Sequence, residues 1–327
     1  MTSNGPPYDP DLALPSIAQD ESGGNDQILD FSKLATHRAF ADPMAAIEKE
    51  QALSDPLVKI EEVNIPGPRG DISLVIVQLK DDQTPTSTNR PAIFNIHGGG
   101  MVAGNAYSAL TTIITWMKHI NAAVIVSVSY RRAPENTGLA LVEDCYEALV
   151  WFAKQNAEYK FDPDRVIITG ISAGAGLAAS VALKARDQGS PKIFAQVLLC
   201  PMLDDRNNTP SLQQYIGMPP YIAEVNDFGW RSVLGDRRGG DNVSIYEVAG
   251  RADNLSNLPP AYIDVGAAEP FRDHAVAYAS KLWEHGVQAE LHVWAGGFHG
   301  FDLFVPDAAV SKDAKEARLR WLQRLLR

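Results

Sequence analysis

"VIITGISAGAG", residues 166–176, decides the fold. It is an apolar, β-branched run that stops at Gly170 and re-enters an alanine-rich segment, with Ser172 in the turn between. Such a run bounded by glycine reads as a buried strand, and the alanine-rich continuation reads as a helix. Strand, sharp turn and helix form the repeating unit of a wound α/β sheet. The turn admits two chemistries. Read as T-G-x-x-x-G-x-G, it is a glycine-rich nucleotide cradle; read as G-x-S-x-G, it is an elbow that lifts a serine hydroxyl above the sheet.

Outward from this stretch the same alternation recurs. Strands are expected at about 92–96, 123–128, 165–169, 193–199, 261–265 and 289–294, and helices near 107–120, 140–157, 173–187, 272–285 and 308–326. Continuous apolar strands separated by helical patterns indicate a parallel sheet covered on both faces. "VKIEEVNI" and "DISLVIVQL" alternate in polarity around a turn at Gly67–Gly70 and read as an antiparallel opening pair, which makes eight strands in all. The last helix puts Ala314, Ala317, Trp321, Leu322 and Leu325 on one face, with Lys and Arg opposite. Residues 1 to about 50 read as short amphipathic pieces carrying Leu29, Phe31, Leu34, Phe40 and Ile47, either a loose tail or a helical lid. A long connection separates the strand at 193–199 from that at 261–265, and a connection of this length in a compact domain is usually functional.

Composition narrows the function. The 327 residues are 45% hydrophobic and 21% charged, as in an ordinary soluble protein, and the net charge is −11. No basic stripe is present to displace counterions from a phosphate backbone, so nucleic acid is not an expected partner. No run reaches the roughly 18 apolar residues of a membrane span, and "MTSNGPPYDP" lacks the regions of a secretion signal, so a cytoplasmic location is expected. Cys145 and Cys200 read as buried free thiols that form no metal-ligand cluster.

Partners elsewhere discriminate between the two readings of the turn. A short-chain dehydrogenase would need a Tyr-x-x-x-Lys pair, and every tyrosine fails that spacing; Tyr278 and Lys281 are one residue short. Such enzymes also place the glycine turn after the first strand, whereas several strands precede this one. A hydrolase needs an oxyanion hole, then a serine, an acid and a histidine in that order. "FNIHGGGM" sets Gly98, Gly99 and Gly100 after a strand, where backbone amides can approach a developing oxyanion without a Cβ in the way; His97 reads as a brace for this loop. Of seven histidines, His299 in "AGGFHGF" stands out, just after the last strand with glycine on both sides. His37, His119, His274, His285 and His292 read as surface or structural residues. "IDVGAAEPFRD" offers Asp264 within a strand, Asp273 in a first helical turn and Glu269 in the loop between them; Glu269 is the expected acid, with Asp273 in reserve.

With these stretches in place the sequence resembles the hormone-sensitive-lipase-like family of α/β-hydrolases. The resemblance rests on "HGGG" (97–100), "SYRRAPE" (129–135) followed by "LVEDCYEAL", "GISAG" (170–174), "PMLDD" (201–205), "LPPAYIDVG" (258–266), "EPFRD" and "FHGF", in order over roughly residues 90–305. It implies Ser172 as nucleophile, His299 as general base, Glu269 as triad acid, and an oxyanion hole from the amides of Gly99, Gly100 and Ala173. The sequence departs from the family pattern at Ile171, Met101 and Glu269, where members commonly carry Asp, an aromatic residue and Asp. The implied organisation is a catalytic domain from residues 51–201 and 251–327 under a helical cap from residues 1–50 and 202–250. Phe31, Met101, Met202, Met218, Tyr221, Phe228 and Trp230 are candidates for an apolar pocket wall, though core packing accounts for each equally well. The expected activity is hydrolysis of small to medium lipophilic esters without metal or cofactor. Acyl transfer, lactone hydrolysis and a non-catalytic binding scaffold are the alternatives, and a homodimer is compatible with the sequence.

Overall fold

The computed structural model describes residues 4–12, 33–80, 89–220 and 222–327, so Phe31 and Tyr221 lie outside the described residues. The chain enters through α1 (Leu34–Ser54) and the pair β1 (Val58–Ile65) and β2 (Ile72–Leu79). It continues with β3 (Ala92–Ile96), α2 (Leu110–Ile120), β4 (Val124–Ser129), α3 (Ala140–Ala153), the single turn α4 (Asn156–Tyr159), β5 (Val166–Ile171), α5 (Ala173–Gln188) and β6 (Ala195–Leu199). The long connection holds α6 (Pro210–Gln214) and α7 (Ile222–Leu234); then come β7 (Ala261–Gly266), α8 (Arg272–Glu284), β8 (Ala289–Trp294), α9 (Phe301–Phe304) and α10 (Ala309–Leu325).

The eight strands form one sheet in the order β1-β2-β4-β3-β5-β6-β7-β8, with β2 antiparallel to both its neighbours. After β3 the chain steps sideways to β4; after β4 it crosses back over β3 to β5 and keeps going that way. Right-handed crossovers taken in opposite directions put α2 on one face of the sheet and α3, α5 and α8 on the other. α10 packs on α2 and β7, and α3 packs on α5. The neighbours β3 and β5 are therefore where the following helices diverge to opposite faces, which opens a crevice at their carboxyl ends. Every residue of β3 and β5 is buried, whereas the edge strands β1 and β8 are partly exposed. That difference is the physical origin of the continuous central runs and the alternating outer one.

Three expectations change. Leu29, like Phe31, lies outside the described residues, and from Leu34 on the amino-terminal pieces are one 21-residue helix, α1, which continues through Pro43. An internal proline costs a helix about 3 kcal/mol, and α1 recovers it by packing along α2 and β1. The expected helix at 140–157 divides into α3 and α4, because the amides of Lys154 and Gln155 tighten onto Trp151 and Phe152. In α10, Arg318 lies on the buried face rather than with the other basic residues. Its guanidinium donates to Asp264 on β7 (Nη2 to Oδ2, 2.8 Å) and to Asp302 on α9 (Nη1 to Oδ2, 3.0 Å).

Two buried carboxylates, one within β7 and one in α9, thus share one cation. Arg318→Met should leave both uncompensated and lower stability by about 3–5 kcal/mol, read from the urea midpoint. An unchanged midpoint would show that the network does not secure α10.

Candidate active site

The turn after β5 is built by backbone contact. A Cβ on Gly174 would lie 2.0 Å from the Ile96 carbonyl oxygen, and one on Gly170 would lie 2.3 Å from the Gly174 carbonyl. Glycine at both positions lets α5 begin directly against the end of β3. Ser172, between them, has φ 57° and ψ −119°, a conformation that costs a non-glycine residue about 1–3 kcal/mol. Its amide donates to Leu199 O (2.8 Å) and its carbonyl accepts from Met202 N (3.0 Å), so β6 holds the strained residue in place.

Ser172 Oγ lies 2.9 Å from His299 Nε2, and His299 Nδ1 lies 3.0 Å from Glu269 Oε1. The serine follows β5, the acid follows β7 and the histidine follows β8, all at carboxyl ends of parallel strands. Glu269 and His299 are buried, and the second carboxylate oxygen of Glu269 accepts from Gly266 N at 3.3 Å. Phe271 meets the imidazole edge to face at 5.0 Å. Asp273, the reserve acid, is engaged elsewhere: its carboxylate accepts from Ser211 N (2.7 Å) and pairs with Arg272, which ties α8 to α6. Asp264, also considered, is the partner of Arg318.

Both cysteines are free and buried. Cys200 Sγ sits 3.9 Å from His299 Nε2, and burial together with the charge of Glu269 holds its thiol pKa well above the usual range. The Cys200, Glu269 and His299 ligand atoms lie within 4.8 Å of one another. Within this trio both ring nitrogens are already engaged, one by Ser172 and the other by Glu269.

The glycine loop after β3 runs beside the serine. A Cβ on Gly98 would be 3.5 Å from Ser172 Cβ, and one on Gly99, at φ 106°, would be 2.2 Å from Ala103 O. His97 is buried below it, stacked on Tyr130 at 4.2 Å, and Tyr130 Oη donates to His97 O (3.1 Å). It braces the loop, as the sequence suggests, and burial pushes its pKa down to about 4. Ala173 is the first residue of α5, where helical amides have no partner within the helix.

A cavity of about 230 Å³ opens over Ser172. One wall is α1, through His37, Phe40, Ala41, Met44, Ala45 and Glu48. The others are Gly98 to Gly100 with Ala103 and Gly104, Ile222 and Val225 of α7, and Leu303 and Phe304. None of the described residues proposed from sequence for the wall belongs to it. Met101, Met202 and Trp230 are buried in the core, Met218 lies apart from the cavity, and Phe228 stacks behind the wall on His37 at 4.4 Å. Large apolar side chains that avoid water fill the interior first, and the wall falls to whatever faces the serine. The α1 wall was legible as a stripe at i, i+3, i+4, i+7, i+8 and i+11 from His37, provided the helix is read through Pro43.

An eight-stranded, mostly parallel sheet with a strained serine after β5, an acid after β7 and a histidine after β8 defines an α/β-hydrolase. The sequence model of the family described as alpha/beta hydrolase fold matches residues 93–303, and the chain belongs to that family, in its hormone-sensitive-lipase-like group. Esterase LipI of Mycobacterium tuberculosis is 33% identical over 273 residues, 82% of this chain and 81% of that protein. Arylacetamide deacetylase of Mus musculus is 26% identical over 89% of this chain and 90% of its own length. Among solved structures, a bacterial heroin esterase superposes with a TM-score of 0.83 at 32% identity, covering 98% of both chains. Esterase LipW from Mycobacterium marinum gives 0.81 at 28% identity, covering 95% of this chain and 99% of that one. Among the described residues no helix is long and apolar enough to cross a membrane.

Two outcomes follow from this geometry. Ser172→Gly should raise the unfolding free energy by about 1–2 kcal/mol, because glycine occupies the strained turn freely; a lower melting temperature would refute that strain. Unfolded His97 takes up a proton near pH 6.5, whereas folded His97 resists it down to about pH 4. Stability should therefore fall by roughly 3 kcal/mol as pH drops through that window, with buried His274 acting in the same direction. Urea midpoints against pH would register the slope, and His97→Gln should flatten it.

Proposed function

We propose that this ester hydrolase acts on carboxylic esters through an acyl-enzyme formed at Ser172. The observation that carries the reading is the unbroken run of contacts from Ser172 Oγ to His299 Nε2 (2.9 Å) and from His299 Nδ1 to Glu269 Oε1 (3.0 Å). His299 takes the serine proton as Oγ attacks the ester carbonyl, then delivers it to the departing alcohol. Glu269 fixes the tautomer with the Nδ1 proton facing the carboxylate and stabilises the imidazolium that forms. The amides of Gly99, Gly100 and Ala173 receive the oxyanion, and the amino end of α5 adds its positive dipole. Water, activated by the same imidazole, releases the acid.

α1 with α6 and α7 forms the cap over this site. The cavity is lined chiefly by Phe40, Ala41, Met44, Ala45, Val225, Leu303 and Phe304. Its volume of about 230 Å³ falls just below the usual range of ligand pockets, roughly 300–1,000 Å³. An apolar space of this size favours uncharged esters with short to medium acyl chains.

With p-nitrophenyl butyrate as substrate, Ser172→Ala should lose about 10⁴-fold or more in kcat. Glu269→Gln should lose roughly 10³- to 10⁴-fold, while Asp273→Asn stays within about tenfold of wild type. Activity surviving in Ser172→Ala would overturn the mechanism, and the reverse ranking of the two acids would reassign the triad.

A further inference from the structure

"SYRRAPE" at 129–135 lies outside the reacting groups, yet its charged residues meet α1 beside the glycine loop. Arg38 forms a bidentate pair with Glu135 (Nη1 to Oε1 2.8 Å, Nη2 to Oε2 2.7 Å), and its third nitrogen, Nε, donates to Val102 O at 3.0 Å. One turn further along α1, Asp42 Oδ1 accepts from Gly104 N at 3.1 Å and from Arg132 Nη1 at 3.1 Å. Arg132 Nη1 also donates to Gly104 O at 3.2 Å. The two α1 residues therefore carry opposite charges, one turn apart, against opposite charges on the 132–135 loop. Both also reach past that loop to the backbone at 102–104. The hydrogen bonds from Arg38 hold the Glu135 carboxyl pKa down to about 2.

Of the backbone atoms reached, Val102 O connects to the oxyanion hole through rigid planes, while Asp42, bound to Gly104 N and Arg132, fastens α1 to the same loop. Val102 O and Ala103 N–H belong to one planar peptide, and Ala103 N donates to Gly99 O at 3.0 Å. Gly99 O and Gly100 N–H belong to the next plane, and Val102 N donates to the same Gly99 O at 3.1 Å. In a trans peptide the N–H points away from the C=O, so whatever fixes Gly99 O also aims Gly100 N–H. A guanidinium on Val102 O polarises this chain in the direction that makes each successive N–H a stronger donor.

We propose that Arg38 and Asp42 of α1 are positioning residues for the oxyanion hole, so that the Gly100 amide is fully aimed and polarised only while α1 is docked. The proposal rests on the esterase reading above and assigns α1 a second task beyond walling the cavity. Removing a donor outright costs about 10²- to 10³-fold in rate, so loosening one that remains should cost roughly tenfold.

The test uses the full chain and p-nitrophenyl butyrate. Arg38→Met and Asp42→Asn should each lower kcat roughly tenfold with KM nearly unchanged. They should slow inactivation by a p-nitrophenyl alkylphosphonate, whose phosphoryl oxygen takes the oxyanion position, by the same factor. Arg38→Lys keeps a cation near Val102 O and should recover part of both losses. Glu135→Gln, at an exposed position, should show a smaller loss of the same kind and serves if Arg38→Met does not fold. An unchanged kcat and inactivation rate, or a rise in KM alone, would leave α1 as a wall only and overturn the proposal. So would losses that track the melting temperature and are not recovered by lysine. Wild-type turnover that persists in Ser172→Ala would instead remove the esterase reading itself, so the two failures are distinguishable.

Discussion

The site depends on the contact of the β5–α5 turn with the end of β3. With no Cβ at 170 or 174, the first turn of α5 rests on the carbonyls of Ile96 and His97, and the serine between them is forced into a conformation that side chains rarely adopt. That one approach sets Ser172 beside the Gly98–Gly100 backbone and starts a helix, with its free amides, at the same point. The sheet makes the contact available because crossovers leave β3 and β5 in opposite directions, which keeps the space above their junction clear of connecting helices.

Charge is distributed around this centre by burial. Glu269 and Asp264 stand five residues apart on β7 and the loop after it, and both are buried, but each meets a different partner. Asp264 faces the guanidinium of Arg318 from α10, whereas Glu269 faces the imidazole of His299. Asp273, one helical turn beyond Glu269, is drawn to the Ser211 amide of α6. Carboxylates in one short stretch are thus drawn to a guanidinium, an imidazole and a backbone amide by the neighbour that each strand or helix brings.

α1 joins these arrangements to the substrate. Its apolar stripe lines the cavity, and the residues beside that stripe, Arg38 and Asp42, hold Val102 O and Gly104 N of the loop that runs beside Ser172. One helix thus lines the cavity over Ser172 and also holds the backbone at 102–104.

Much of this was legible from sequence because it is local. Apolar runs of strand length, the glycines at 170 and 174, the triple glycine after β3 and the order of serine, acid and histidine each follow from what a few neighbouring residues must do. They determined the wound sheet and the positions from which Ser172, Glu269 and His299 converge. The cavity wall was not legible, since Met101, Met202 and Trp230 carry the same apolar signal whether they face substrate or core. Nor was the burial of Arg318, because nothing along α10 reveals two carboxylates arriving from β7 and α9. Which of several acids meets the histidine, which helix face sees the cavity, and which charges pair across 90 residues or more depend on distances between segments far apart in the chain. Only the packed tertiary structure sets those distances, since close packing leaves each buried polar group a single set of partners.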